Sequence, residues 1–434
     1  MARKKIMFGV GAGVISLGVD GLSSLLILRL LTAHLSAEEA GYWILVTSAG
    51  SLLLLLQCGL GPTIARAVAG LTVGGDQESQ RQMLGAVRSA FGYIAATVAL
   101  AAVVIHFTYL WPTARAAGLN WKSALSWFPY ALGMAANLQG QSSLFVLNGH
   151  GEVGWDKVFR SLFTVLGFGA VWVTLLWGGE LPALGFIYLG QNLLFWLVAE
   201  LKLKSYLGAS ADALPARPGQ IRALFHEGSK LLLLNLLTFL ITQFTIFIVE
   251  RRFGLKEVVS YAAMLRVGVL IGTIGSLLPQ MLYPYVARAW AAHDYAKCRR
   301  YYVSGVVVAV GTALAISLPL YLFGREIFTL WLGDKVPYAP SCFAAVLGFY
   351  VLYVYHAANA TPALAVAGDA FTLPAITNAV LVLILVFALS SAWGMIGVPV
   401  GMILGTLPAS VYVVMRSWRI IMHPSKVPDT QAAK

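Results

Sequence analysis

The sequence predicts an all-α polytopic membrane protein with about twelve transmembrane helices in two pseudo-symmetric six-helix lobes around a central cavity. Three observations predict this class: an apolar composition, a series of apolar stretches of membrane-crossing length, and an internal repeat. Hydrophobic residues make up 59% of the 434 and charged residues 11%, with a mean hydropathy of +0.78. A water-soluble core has no use for so much apolar surface, whereas a bilayer dissolves it.

A span needs roughly 20 apolar residues. Stretches that meet this fall near 6–31, 41–61, 84–111, 123–147, 158–178, 183–203, 229–250, 258–283, 301–323, 340–358, 371–392 and 396–417. The first, in "MARKKIMFGVGAGVISLGVDGLSSLLILRLL", is too long for the core of a cleavable signal and is read as a membrane helix. Gly and Pro mark short turns after the fifth span ("WGGELPALG") and the eleventh ("SSAWGMIGVPVG").

An even number of spans puts both termini on one side. With the N-terminus in the cytoplasm, inward segments hold 21 of the 30 Lys and Arg and outward segments hold 9. This is the bias expected of cytoplasmic loops. The longest inward connection, "KLKSYLGASADALPARPGQIRALFHEGSK", divides the chain. The expected organisation is an N-terminal lobe over 1–204, a cytoplasmic linker over 205–228, a C-terminal lobe over 229–418 and a cytoplasmic tail over 419–434.

The net charge of +12 is read as loop charge facing membrane lipids. No basic run is interleaved with aromatics, so nucleic acid is not an expected partner. Cys58, Cys298 and Cys342 stand far apart without a CxxC, so neither a disulfide framework nor a metal site is indicated. His106, Trp111 and Trp127 are expected at the outer membrane interface.

The repeat is carried by short matches in order. "LSAEEAGYW" pairs with "LKEVVSYAA", setting Leu35 beside Leu255 and Tyr42 beside Tyr261. "TIARAVAG" pairs with "YVARAWAA", setting Arg66 beside Arg288, and "VLNGHGE" matches "LAVAGDA", setting Gly151 beside Gly368. Six spans separate equivalents, so the halves repeat in the same orientation, as in transporters built from parallel repeats.

From Arg29 through "LTAHLSAEEAGYWILVTSAGSLLLLLQCGLGPTIARAVAG", the chain resembles the start of the polysaccharide transport branch of the multidrug/oligosaccharidyl-lipid/polysaccharide exporter superfamily. "LFGREIFTLWLGDKVPYAPSCFAAVLG" resembles that family's ninth-helix exit. The resemblance covers essentially the whole chain and implies a Wzx-like flippase of the bacterial inner membrane. Such a protein moves an undecaprenyl-pyrophosphate-linked oligosaccharide and works beside glycan polymerase or assembly partners.

Polar residues inside the spans form lines. Arg266, Thr273 and Gln280 are seven apart on one face of the eighth helix, with Gly268, Gly272 and Gly275 roughly opposite. Asn235, Thr238, Thr242 and Thr245 form a second line, Asn137, Gln141 and Asn148 a third, and Tyr353, His356 and Asn359 a fourth. Each such residue either bonds a neighbouring helix or faces a hydrated cavity. An arginine inside a span is costly unless paired or wetted. Arg266 therefore either grips pyrophosphate through bidentate bonds or pairs with Glu250. Asp20 lies on a small-residue stripe with Gly9, Gly13, Ser16 and Ser24. It either couples transport to a proton or sodium ion or is a hydrogen-bonded structural carboxylate. Arg29, about 180° around the helix from Asp20, contacts the substrate if the helix bends at Gly21 and otherwise reaches the outer headgroups. Arg66, Arg88 and Arg288 sit at inner helix ends, where they either follow topology alone or form a basic mouth.

In the flippase reading, Arg266, Arg29, Arg66 and Arg288 meet the pyrophosphate. Asn137, Gln141, Asn235, Thr273, Gln280 and His356 line the substrate path, and Asp20 couples an ion. Two rivals remain: an ion-coupled multidrug/cation antiporter of the same superfamily, and a membrane glycosyltransferase or polymerase. The antiporter calls for a mainly acidic or aromatic cavity, whereas the charges within these spans are of mixed sign. The enzyme calls for a large outer loop with a carboxylate cluster, and the outward loops are short without a DxD. No P-loop is present, so no nucleotide cofactor is expected.

Overall fold

A computed structural model of the chain describes residues 2–57, 59–74, 77–208, 212–367 and 371–423. Every regular element among them is helical. This follows from the solvent: in hydrocarbon each backbone N–H and C=O must find its partner within the segment. Cys58, Gly368 (the repeat partner expected for Gly151) and most of the 419–434 tail lie outside the described residues.

The chain divides into two compact units, Met1–Leu236 and Leu237–Lys434. The first holds α1 (Ala2–His34), α2 (Ala37–Leu54), α3 (Leu60–Gly74), α4 (Gln77–Ile105), α5 (Trp111–Ala116), α6 (Trp121–Leu125), α7 (Trp127–Gly149), α8 (Gly154–Leu176) and α9 (Leu181–Leu207). The cut at Leu236 falls within α10 (Gln220–Thr242). The second unit continues with α11 (Thr245–Phe253), α12 (Leu255–Ala291), α13 (Tyr295–Leu322), α14 (Gly324–Leu332), α15 (Pro340–Ala367), α16 (Thr372–Trp393) and α17 (Gly397–Met422).

Ten stretches among the described residues are long and apolar enough to cross a membrane. One of them, Thr372–Met422, contains both α16 and α17. The amide-rich α7, at 23 residues, adds the remaining expected span. The chain is a multi-pass membrane protein, and its helices fall where the sequence placed the twelve spans.

The packing scheme repeats. In the first unit α7 packs on α3, α4 and α9, and α8 packs on α9. In the second, α15 packs on α12, α13 and α17, and α16 packs on α17. The two membrane-edge turns that announced the repeat are built differently. The Ser36 hydroxyl accepts the Glu39 N–H at 3.2 Å while the Glu39 carboxylate accepts the Ser36 N–H at 3.1 Å, a capping box that starts α2. At the second turn Gly254 takes a φ of 85° and opens α12 with no side-chain cap. Tyr42 and Tyr261, one turn inside each helix, are both fully buried.

Close helix contact is set by small residues, as expected where lipid removes the hydrophobic drive between helices. On α17, a Cβ added at Gly401 would lie 2.6 Å from the Val386 backbone of α16, and one at Gly405 would lie 2.6 Å from that of Val382. On α12, Gly268 and Gly275 receive Tyr350 and Val354 of α15. The expected glycine face of this helix is therefore a packing face.

Of His106, Trp111 and Trp127, expected at the outer interface, two are buried within the protein. Trp127 is fully buried and donates its indole N–H to the Ala102 carbonyl at 2.8 Å. His106 is buried in a π-helical turn with its ring 4.5 Å from that of Phe128. An aromatic indole is as well matched to a protein interior as to a headgroup boundary, provided its N–H finds a partner.

Replacing Gly401 by Leu should destabilise the protein by about 1–3 kcal/mol through overpacking. The same change at Gly311, which has open space beside it, should cost little. Denaturant unfolding of the purified variants in detergent checks the contrast, and equal effects would sink the packing argument.

Candidate functional site

The first unit carries two polar clusters within its spans. On α1, half-buried Asp20 accepts a hydrogen bond from Thr164 of α8 at 3.2 Å and one from Ser16 at 3.4 Å. Ser16 is one helical turn before Asp20, which is why the stripe could be read from spacing. The set is all oxygen, one carboxylate and two hydroxyls, which suits a proton or a small hard cation.

The second cluster lies between α7 and α9. Asn137 donates to Asn192 at 2.6 Å and accepts from Gln141, and Asn192 donates to the Tyr188 carbonyl at 2.8 Å. The Tyr188 ring stacks on Tyr130 at 4.2 Å. Gln141 is buried and Asn137 half-buried. The structure thus brings these two predicted residues together and joins them to a neighbouring helix. An amide in hydrocarbon needs such partners, because leaving one unmade costs about 1–3 kcal/mol.

A third polar group was missed by the sequence reading. Glu200 on α9 accepts from the Arg88 guanidinium of α4 and from the Ser143 hydroxyl of α7 at 2.8 Å, with Lys204 at 3.9 Å. The available signal was a carboxylate inside an expected span, four residues before a lysine.

In the second unit, Arg266 and Thr273 are half-buried and Gln280 is exposed, all on the α12 face away from the buried glycines. Thr273 returns its hydroxyl to the Val269 carbonyl of its own helix at 2.8 Å. On α15, His356 Nδ1 lies 3.1 Å from the Ser410 hydroxyl of α17, and Asn359 accepts from the Tyr302 hydroxyl. Arg252 of α11 was also missed. It donates to Ser391 and to the Phe387 carbonyl of α16 and lies 4.2 Å over the Phe387 ring.

The remaining candidates are dispersed. Arg29 on α1, Arg66 on α3, Asn235 on α10 and Arg288 on α12 are exposed. The Arg288 guanidinium lies 5.8 Å from the Tyr285 ring. Among the described residues, no group of three or more His, Cys, Asp or Glu side chains is placed to hold a metal ion.

No family model matches this sequence, and no curated protein matches it. Similarity emerges in three dimensions. Over 96% of this chain and 99% of the other, the structure matches an inward-facing multidrug resistance MATE family transporter of the MOP superfamily, with a TM-score of 0.74 and 16% identity. It matches the lipid II flippase MurJ in its inward closed conformation over 98% and 94% of the two chains, with a TM-score of 0.68 and 12% identity. A bent form of the Vibrio cholerae MATE transporter VcmN matches over 97% of both chains, with a TM-score of 0.60 and 15% identity. The chain shares its fold with these solved proteins.

The Glu200 cluster makes a stability prediction. Replacing Glu200 by Ala should destabilise the protein by about 1–3 kcal/mol, because it leaves Arg88 and Ser143 without their acceptor. In a double-mutant cycle, Arg88→Ala and Glu200→Ala should couple by about 0.5–3 kcal/mol. Strict additivity in denaturant unfolding would show that the pair contributes nothing as a pair.

Proposed function

We propose that this chain is a flippase that moves an undecaprenyl-pyrophosphate-linked oligosaccharide across the bacterial inner membrane by alternating access. The observation that carries the reading is Arg266: a half-buried cation within an apolar helix, on the face that the glycine packing leaves over. A guanidinium kept there at a desolvation cost is suited to hold a pyrophosphate through paired hydrogen bonds. The fold is shared with a protein titled a lipid II flippase, which supports the same class of cargo.

The physical task is plain. A pyrophosphate bearing several sugars is large, hydrophilic and anionic, while its polyprenyl tail is apolar. Unaided passage would strip the head of its hydration, a prohibitive cost. In this proposal Arg266, with Arg29 or the Arg66 and Arg288 pair, replaces part of that hydration. Asn235, Thr273, Gln280 and His356 meet the sugars, and Asn137 and Gln141 join them if their amide cluster opens during the cycle. In the same proposal both termini lie in the cytoplasm. Asp20, with Ser16 and Thr164, couples the movement to a proton or sodium ion.

That same oxygen cluster favours a second reading, an ion-coupled antiporter of organic cations, as does the likeness to multidrug transporters. Cells lacking the protein separate the two. Under the flippase reading, lipid-linked glycan should accumulate on the cytoplasmic face and clear when the gene is restored. Unchanged glycan export with new sensitivity to cationic dyes would select the antiporter.

Replacing Arg266 by Ala should lower glycan export roughly tenfold or more, the loss of a charge-assisted contact, with membrane abundance unchanged. A parallel fall in abundance would mark Arg266 as structural. For Asp20→Asn, transport in vesicles should lose its dependence on an imposed proton or sodium gradient. Retained gradient dependence would remove Asp20 from coupling.

A further inference from the structure

The connection between α13 and α15 encloses a cleft of about 590 Å³, within the roughly 300–1,000 Å³ typical of small-molecule sites. Its floor is aromatic. Phe328 is 2% exposed, with its ring 5.2 Å from Tyr338 and 4.9 Å from Phe343. Gly324 gives the Tyr338 hydroxyl room to approach α14, since a Cβ there would collide with it. Arg325, Glu326 and Asp334 stand exposed at the rim. Among the described residues Arg325 makes no ion pair with either carboxylate, so all three heads remain available to a ligand.

The equivalent connection in the first unit is also built around aromatic packing. There the connection from α4 to α7 is filled by buried His106 and Trp127, packed among Phe107, Trp111, Phe128 and Tyr130. In the second unit Phe328 packs likewise against Trp331, Tyr338 and Phe343, and the cleft lies over that packing.

The chemistry around the cleft is specific. Two carboxylates accept hydrogen bonds, Arg325 and the Tyr338 phenol donate them, and the rings of Tyr338 and Tyr321 offer flat apolar faces. Burial, and then the nearby Glu326 and Tyr321, holds the Tyr338 phenol above its ordinary pKa, so it remains a donor at neutral pH. The cleft itself is lined by one cation, Arg325, and two carboxylates, Glu326 and Asp334. Acceptors and donors set side by side next to exposed ring faces suit a neutral ligand rich in hydroxyls with an apolar ring face. Tyr321, Leu322, Phe323 and Leu330 beside the cleft are all more than half exposed. Such an aromatic and apolar rim belongs at the membrane–water boundary, the depth at which sugars on a lipid carrier lie.

We infer that this cleft is a carbohydrate subsite that holds neutral sugar units of the lipid-linked glycan at the outer membrane surface. The assignment of the sugar's source rests on the flippase reading; the binding chemistry does not. The test uses the full chain in lipid nanodiscs and saturation-transfer NMR with cellobiose, N,N′-diacetylchitobiose and the cation tetraphenylphosphonium. Saturation should reach the protons of at least one disaccharide. It should fall at least fivefold in Glu326→Gln/Asp334→Asn and in Thr329→Trp, which fills the cleft from an exposed position without removing a sugar contact. No transfer to either sugar, equal transfer in the variants, or transfer only to the phosphonium would overturn the proposal. Sugar binding lost in both variants, in a chain whose deletion leaves glycan export unchanged, would keep the cleft and discard the transport reading. Normal flippase behaviour with no sugar binding would discard the cleft alone.

Discussion

A polar group in hydrocarbon must be bonded, wetted or absent, and most of what distinguishes one helix of this protein from another follows from how that demand is met. Asn137, Gln141 and Asn192 meet it by bonding one another across α7 and α9. Glu200 meets it with Arg88, Ser143 and Lys204. Thr273 meets it within its own helix by returning to the Val269 carbonyl. Side chains that have settled their needs inside a unit hold helices together.

Glycine decides which face is which. On α12 and α17 the small residues draw a neighbouring helix close, and dispersion between the touching surfaces replaces the hydrophobic drive that lipid cancels. Packing one face of α12 against Tyr350 and Val354 leaves Arg266, Thr273 and Gln280 on the other. The packed face and the polar face of α12 are thus two consequences of one arrangement. The glycines that bring α15 close also determine where a cation in the same helix points.

The two units share a packing scheme and differ in chemistry. The first contains a carboxylate with two hydroxyls inside its spans. The second contains an arginine on the polar face of α12 and a cleft at the connection between α13 and α15. One packing scheme used twice supplies two scaffolds, and a few side chains in each set the polar clusters apart.

Sequence by itself determined the membrane class, the helices, the repeat and the faces of single helices. Each depends on residues close in the chain: Ser16 and Asp20 are one turn apart, Gly268 and Gly275 two turns, and Arg266 and Thr273 two turns. Tertiary structure alone decided which helix meets which face. Thr164 reaches Asp20 across 144 residues and Glu200 reaches Arg88 across 112, distances over which periodicity carries no information. The cleft at 321–340 is local in sequence, yet its emptiness depends on how Phe328, Tyr338 and Phe343 pack. Trp127 and His106 give the general reason. In water an apolar residue marks the inside, but in a bilayer the lipid-facing and protein-facing sides of a helix are both apolar. Hydrophobicity therefore found the spans but could not separate buried from exposed, and only contact between helices made that distinction.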